Sequence, residues 1–469
     1  MNSLPDRLAQ IVGPSNVIPT PEPASPYLNE RRGLFHGRAA AVVRPGSTEE
    51  VAAVVRLARE TGAPIVPQGG NTGLVGGGVP DEQGGAILLS LTRMNRIRAV
   101  DPEGNTLVLD AGATLAQARR AAEDVDRLFP LSLAPEETCT IGGNLASNAG
   151  GLAVLAYGSM RDFVLGLEVV LADGRIWNGL RTLRKDNTGY DLKHVFTGSE
   201  GTLGIITGAA LKLFARPRAV ATGLAGVATP ETALALFRRA RAEAGPMVTA
   251  AEIIPAFGME LAAMKLGREL PLPSAPAWYV LLEFSSVSPA ALTDVMQRVL
   301  EDAIEEREAS DFVVANSESS RKTLWAFREA MSDSQGLAGA SIKHDVAVPV
   351  ADVPAFIRQA HEAALACVPG CRPCPFGHLG DGNIHFNISQ PEDMAPEAFI
   401  DRWEEMNAVV HGVVARFNGS IAAEHGVGRL KRDLLTSVKS EVELDLMRRL
   451  KSALDPEGLL NPGVILPPR

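Results

Sequence analysis

Aromatic residues make up only 5% of this 469-residue chain, and there are only four cysteines. So few thiols exclude a scaffold built on disulfides. So few rings leave Ala, Val and Leu to fill the cores. No apolar run approaches the roughly 18 residues needed to span a bilayer. Basic residues are the minority charge, 45 against 55 acidic, which excludes the clustered basic surface of a nucleic-acid binder. Two common phosphate-loop signatures are also missing. Without G-x-x-x-x-G-K-[ST] there is no P-loop, and without G-x-G-x-x-G between strand and helix there is no ordinary Rossmann site. The opening MNSLPDRLAQIVGPSNV has neither a charged-then-apolar signal nor a transit-peptide composition. The resulting expectation is a soluble, cytoplasmic protein.

What the chain does have is glycine and proline, 45 and 32 residues, in a sequence still 46% hydrophobic. That much apolar matter excludes a disordered linker, and the length suits two or three domains. Strands are predicted at AVVRP, PIVPQ, AILLSL and TLVLDAG, with a hairpin turning at Asp173–Gly174. A helix follows Ser47, with Ser47 and Glu50 as a capping box, Val51, Val54 and Val55 as its apolar face and Gly62 as its stop. A second helix is predicted over 114–127. This α+β texture ends near Arg216–Pro217. Beyond it, helices over 231–245, 288–307 and 319–333 alternate with strands WYVLLEF, IKHDVAVPV and GNIHFNI, the pattern of an antiparallel sheet covered by helices. The closing ALDPEGLLNPGVILP is read as returning to the body. The organisation is therefore an extension over 1–37, a first domain over 38–217, a second over 218–425 and a returning segment over 426–469.

Three clusters carry chemistry. PQGGNTGLVGGG, residues 67–78, holds six glycines between 69 and 78 and no Lys or Arg. Such a loop either cradles a pyrophosphate with main-chain N–H groups or is a flexible connection. In HLGDGNIH, glycines let the chain reverse and bring His378 and His385 together, with Asn387 on the face of His385. Glu424 and His425 add a carboxylate and a third imidazole. This set suits zinc or another divalent ion, or is a group of buried, hydrogen-bonded histidines. Arg328 and Ser332 are one helical turn apart, and Lys343 follows on a strand. They are a carboxylate grip or a solvated face. Cys371 and Cys374 have C-x-x-C spacing beside Cys367, either a zinc pair or ordinary reduced thiols.

PQGGNTGLVGGG, APEETCTIGGNLASNAGG and GSEGTLGIIT resemble the flavin-binding segments of the vanillyl-alcohol-oxidase/PCMH-type FAD family. HLGDGNIH, EHGVG and RKDNTGYDLK resemble its D-2-hydroxyacid dehydrogenase branch, in order, over residues 40–466. The resemblance implies two FAD-cradling α+β subdomains and a substrate domain with an antiparallel sheet. It implies FAD contacts at Pro67, Gly69, Gly70, Asn71, Thr72, Gly73, Gly76 and Gly77. Further contacts fall at Gly142, Gly143, Ser147, Asn148, Gly151, Glu200, Gly204 and Ile206. With no histidine in the glycine loop, FAD is expected to be noncovalent. His378, His385 and Glu424 match the metal ligands, and zinc is the favoured ion. Arg328, Ser332, Lys343 and Asn387 match the substrate grip, with Ser332 where the family has Thr. His425 matches the general base and also touches substrate.

The implied reaction is oxidation of a D-2-hydroxy acid to a 2-oxo acid by hydride transfer to flavin N5. 2-Oxoglutarate is the favoured product because two cations serve two carboxylates. D-lactate, D-malate, another flavoprotein chemistry and a flavin-free binding protein are the alternatives. No second redox centre is visible, so an external acceptor such as an electron-transfer flavoprotein or a quinone is expected. A homodimer is the candidate assembly.

Overall fold

The structure is a computed structural model describing residues 3–18, 20, 26–288 and 291–467. Residues 1–2, 19 and 21–25 of the expected N-terminal extension lie outside the described residues. So do 289–290, near the start of the expected 288–307 helix. The fold is α+β and forms two compact units. The first holds residues 1–151, 158–216 and 424–469; the second holds 152–157 and 217–423. Glu424 and His425 thus belong to the first unit.

In the first unit, strand Ala41–Val43 pairs in parallel with Ile87–Ser90, and Ile65–Gln68 pairs in parallel on its other side. Helix Thr48–Thr61 links two of these strands. Ser47 accepts the Glu50 N–H and Gly62 closes the helix in the left-handed region. Glu50, however, accepts from Gly46 N–H, so the box is half formed. Val51, Val54 and Val55 are fully buried beneath it. The predicted 114–127 helix stops at Glu123, and Arg127–Leu128 begins a short strand. A second, five-stranded antiparallel sheet contains the hairpin that turns at Gly174. The closing segment pairs Leu460 with Ile65, and Ile65 N–H donates to the Leu459 carbonyl over 2.9 Å.

The second unit is an antiparallel sheet of eight strands. Its core packs Leu281, Ile254 and Tyr279 against Met259, Trp325 and Phe327 from the covering helices. Two predicted elements are interrupted. The 319–333 helix breaks at Ala330 into Glu318–Glu329 and Met331–Ser334. The strand through IKHDVAVPV divides into Ser341–Ile342 and Asp345–Ala347, leaving Lys343 and His344 between the two pieces. Among the described residues, no helix is long and apolar enough to cross a membrane.

Candidate functional site: a cofactor cavity and a two-histidine sheet face

Strand Ile65–Gln68 delivers the chain into the glycine loop. The Gln68 amide then pins the loop, donating to the Tyr27 carbonyl over 2.8 Å and the Gly78 carbonyl over 2.7 Å. At Gly70 the backbone is so close to a neighbouring loop that a Cβ would stand 1.8 Å from the Thr138 carbonyl oxygen. Only glycine fits there. Around this loop lies a cavity of about 170 Å³ that opens to solvent. Of the sixteen residues expected at the flavin, all but Asn148 and Gly151 line it. The loop supplies backbone amides and no fixed cation, which suits a bound pyrophosphate.

Asn148 and Gly151 lie outside that lining. Asn148 closes helix Ile141–Ser147 in the left-handed region, and its side chain accepts from Ser159 Oγ and Arg161 N–H. Gly151 N–H donates to Glu424 Oε2 over 3.2 Å. His425 lines the cavity as well. Glu200 also holds the loop that follows His425, its two oxygens accepting Val427 N–H at 2.8 Å and Gly428 N–H at 2.9 Å. Burial pushes the Glu200 carboxyl up to about 6, although those two amides pull the other way. Gln68 and Thr140 are cavity residues the sequence reading missed. Thr140 was legible as a helix cap, since its hydroxyl accepts Gly143 N–H.

In the second unit, strands Arg372–His378 and Asn383–Ser389 form the hairpin that HLGDGNIH promised. Gly382 turns it with φ +84°, where a Cβ would lie 2.1 Å from the Val348 carbonyl oxygen. The register pairs His378 with Asn383 and Phe376 with His385, so both imidazoles share one face. Their ring centroids are 5.9 Å apart. Across the next strand, Glu252 stands opposite His378. Glu252 is 1% exposed and uses each oxygen once: Oε1 lies 2.6 Å from His378 Nδ1, and Oε2 lies 2.5 Å from Arg328 Nε. Burial alone would push its carboxyl up. The charges and hydrogen bonds of Arg328 and His378 outweigh burial and hold it down at about 2.

An ionised carboxylate only accepts, so His378 Nδ1 carries the hydrogen and a metal would be held by Nε2. The histidine donors therefore fit a divalent ion. Arg328 lies 5.0 Å over the Phe376 ring, and among the described residues its Nη groups make no hydrogen bond. The rest of the expected grip is more engaged. Lys343 Nζ donates to the Ser332 carbonyl over 3.0 Å, and Asn387 donates to Gln335 Oε1 over 3.0 Å. Asp345 Oδ1 lies 4.0 Å from His385 Nδ1 and accepts from Asn383 Nδ2. Glu252, Gln335 and Asp345 went unread in the sequence. The signal for Glu252 was one acid in an otherwise apolar strand, since a buried charge must be paired. The cysteines are free thiols. Burial pushes Cys371 up to about 11 and Cys374 up to about 12, which disfavours the thiolates a zinc site needs.

Comparison with known proteins agrees with this fold. The chain shares its fold with p-cresol methylhydroxylase (TM-score 0.75, 16% identity, 98% of this chain and 95% of that one). It shares it equally with alkyldihydroxyacetonephosphate synthase (TM-score 0.73, 18% identity, 98% and 85%). These likenesses establish the fold. The FAD binding domain family matches residues 39–179, and the FAD linked oxidase C-terminal domain matches 216–465. Bovine mitochondrial D-2-hydroxyglutarate dehydrogenase is 38% identical over 97% of this chain and 82% of its own length. The yeast D-2-hydroxyglutarate–pyruvate transhydrogenase of Saccharomyces cerevisiae is 34% identical, over 94% and 89%. The chain belongs to the FAD-linked oxidases and, within them, to the FAD-dependent D-2-hydroxyacid dehydrogenases. Its reaction is the FAD-dependent oxidation of a D-2-hydroxy acid.

The expectation of a cytoplasmic location is corrected here. The bovine relative and a rat relative at 37% identity are both named as mitochondrial proteins, which overturns that expectation. That reading rested on absences, of an apolar spanning run and of a signal or transit-peptide pattern, and an absence carries no cellular address.

Proposed function

We propose that the chain oxidises D-2-hydroxyglutarate to 2-oxoglutarate by transfer of the C2 hydride to flavin N5, assisted by a divalent metal, zinc being favoured. The observation that carries this reading is one sheet face, on which two imidazoles lie 5.9 Å apart beside a buried guanidinium. A 2-hydroxy acid presents a hydroxyl and a carboxylate to that pair of groups. When bound, FAD supplies the two-electron acceptor, and a metal ion lowers the pKa of the substrate hydroxyl.

His378 and His385 hold the metal in this reading, with Glu424 as a ligand taken from the sequence motif. Arg328 grips one carboxylate through its Nη groups. Lys343, Asn387 and the Ser332 hydroxyl serve the second. His425, in the wall of the cofactor cavity, takes the hydroxyl proton as general base and stays in contact with substrate. The glycine loop and the other cavity residues hold FAD noncovalently. An external acceptor, an electron-transfer flavoprotein or a quinone, reoxidises the flavin, and the assembly is a homodimer.

The test is anaerobic bleaching of the flavin spectrum by D- and L-2-hydroxyglutarate, lactate and malate, with and without chelator. Fast bleaching by D-2-hydroxyglutarate that chelator slows supports the proposal. Preference for an L-acid, or indifference to chelator, overturns it.

A further inference from the structure

Strand Val248–Pro255 is buried along its whole length, and Glu252 is its only ionisable residue. A lone carboxylate in such a strand gives no stability that a well-packed apolar side chain would not give. Its worth lies in geometry. We propose that Glu252 is the positioning residue of the substrate domain, fixing His378 toward the metal and Arg328 toward the substrate carboxylate in one arrangement. The proposal rests on the function proposed above.

Both oxygens of the carboxylate are engaged, one by each partner, at 2.6 and 2.5 Å. The sheet register sets it opposite His378, so its position is fixed by backbone pairing and not by a loop. Accepting from Nδ1 selects the His378 tautomer whose Nε2 lone pair binds a metal, and it makes that nitrogen more basic. Gripping Arg328 at Nε orients the guanidinium plane, and Phe376 beneath it limits its tilt. The same Phe376 ring lies 5.1 Å from His385. The two halves of the substrate grip, hydroxyl and carboxylate, thus share one anchor.

The test uses the FAD-loaded enzyme and its Glu252→Gln and Glu252→Asp variants. Zn²⁺ affinity is measured by competition with a chromophoric chelator. KM and kcat for D-2-hydroxyglutarate are measured by dye reduction, with flavin absorbance and far-UV circular dichroism reporting on folding. Zn²⁺ binding in E252Q is expected to weaken about 10- to 100-fold, with a raised KM and an unchanged flavin spectrum. E252D, which keeps the charge, is expected to recover part of both. Zn²⁺ affinity and KM both within twofold of wild type in a folded variant would overturn the proposal.

If neither variant folds, the wild type decides. Long-range ¹H–¹⁵N spectra of the metal-free protein should show His378 protonated at Nδ1, and protonation at Nε2 overturns the proposal. An enzyme that no D-2-hydroxy acid reduces sinks the proposed function, while the Zn²⁺ comparison still judges Glu252. A wild type that binds no Zn²⁺ sinks both.

Discussion

Glu200 binds the backbone of Gly428, its Oε2 accepting that N–H over 2.9 Å while Oε1 takes Val427. A half-buried carboxylate thereby holds the loop that follows His425. Folded Glu200 takes up its proton near pH 6, whereas the unfolded chain does so near the ordinary 4.5. Between those values the folded state binds more protons, so this group's contribution falls as pH rises, by about 2 kcal/mol across the window. Glu200→Gln removes that dependence. Urea unfolding of flavin-free wild type and variant at pH 4.5 and 6.5 should show the difference, and parallel curves would refute it.

Arg328 and Glu252 are a buried pair, and removing one partner strands the other. Arg328→Met should cost about 3–5 kcal/mol in chemical denaturation. A loss under 1 kcal/mol would mean that water reaches Glu252.

Gly70 has no room for a side chain. Gly70→Ala should cost about 1–3 kcal/mol by forcing the loop from Thr138, and it should lower the ratio of flavin to protein absorbance on purification. A variant with full flavin content and wild-type melting temperature would contradict the close approach.

If main-chain groups hold the cofactor as proposed, His425→Gln should keep its FAD. Under the general-base assignment, flavin bleaching by substrate should slow about 10²- to 10⁴-fold. Stopped-flow absorbance measures this, and a wild-type rate would remove His425 from the role.

Metal removal tests a different part of the proposal. Dialysis against chelator should slow bleaching without changing the flavin spectrum, and added Zn²⁺ should restore it. Activity that survives stripping to below one metal per ten chains would end the metal assignment.

Local chemistry was readable from the chain. Ser47 and Gly62 bound a helix because a hydroxyl cap and a left-handed glycine act over a few residues. The HLGDGNIH hairpin forms because Gly382 permits a turn that L side chains rarely adopt. Where reading failed, the 319–333 helix breaks at Ala330 and a second short helix, Met331–Ser334, takes over.

By itself, the sequence determined the cofactor loop and the candidate chemical residues, since closely spaced glycines and histidines imprint their geometry within a few residues. Only tertiary structure decided what surrounds those residues. Glu252 lies 126 residues from His378 and 76 from Arg328. Nothing in VTAAEIIP names either partner. Strand register and helix packing brought the three together, because a charge sealed from water is stable only where the fold supplies its counterpart.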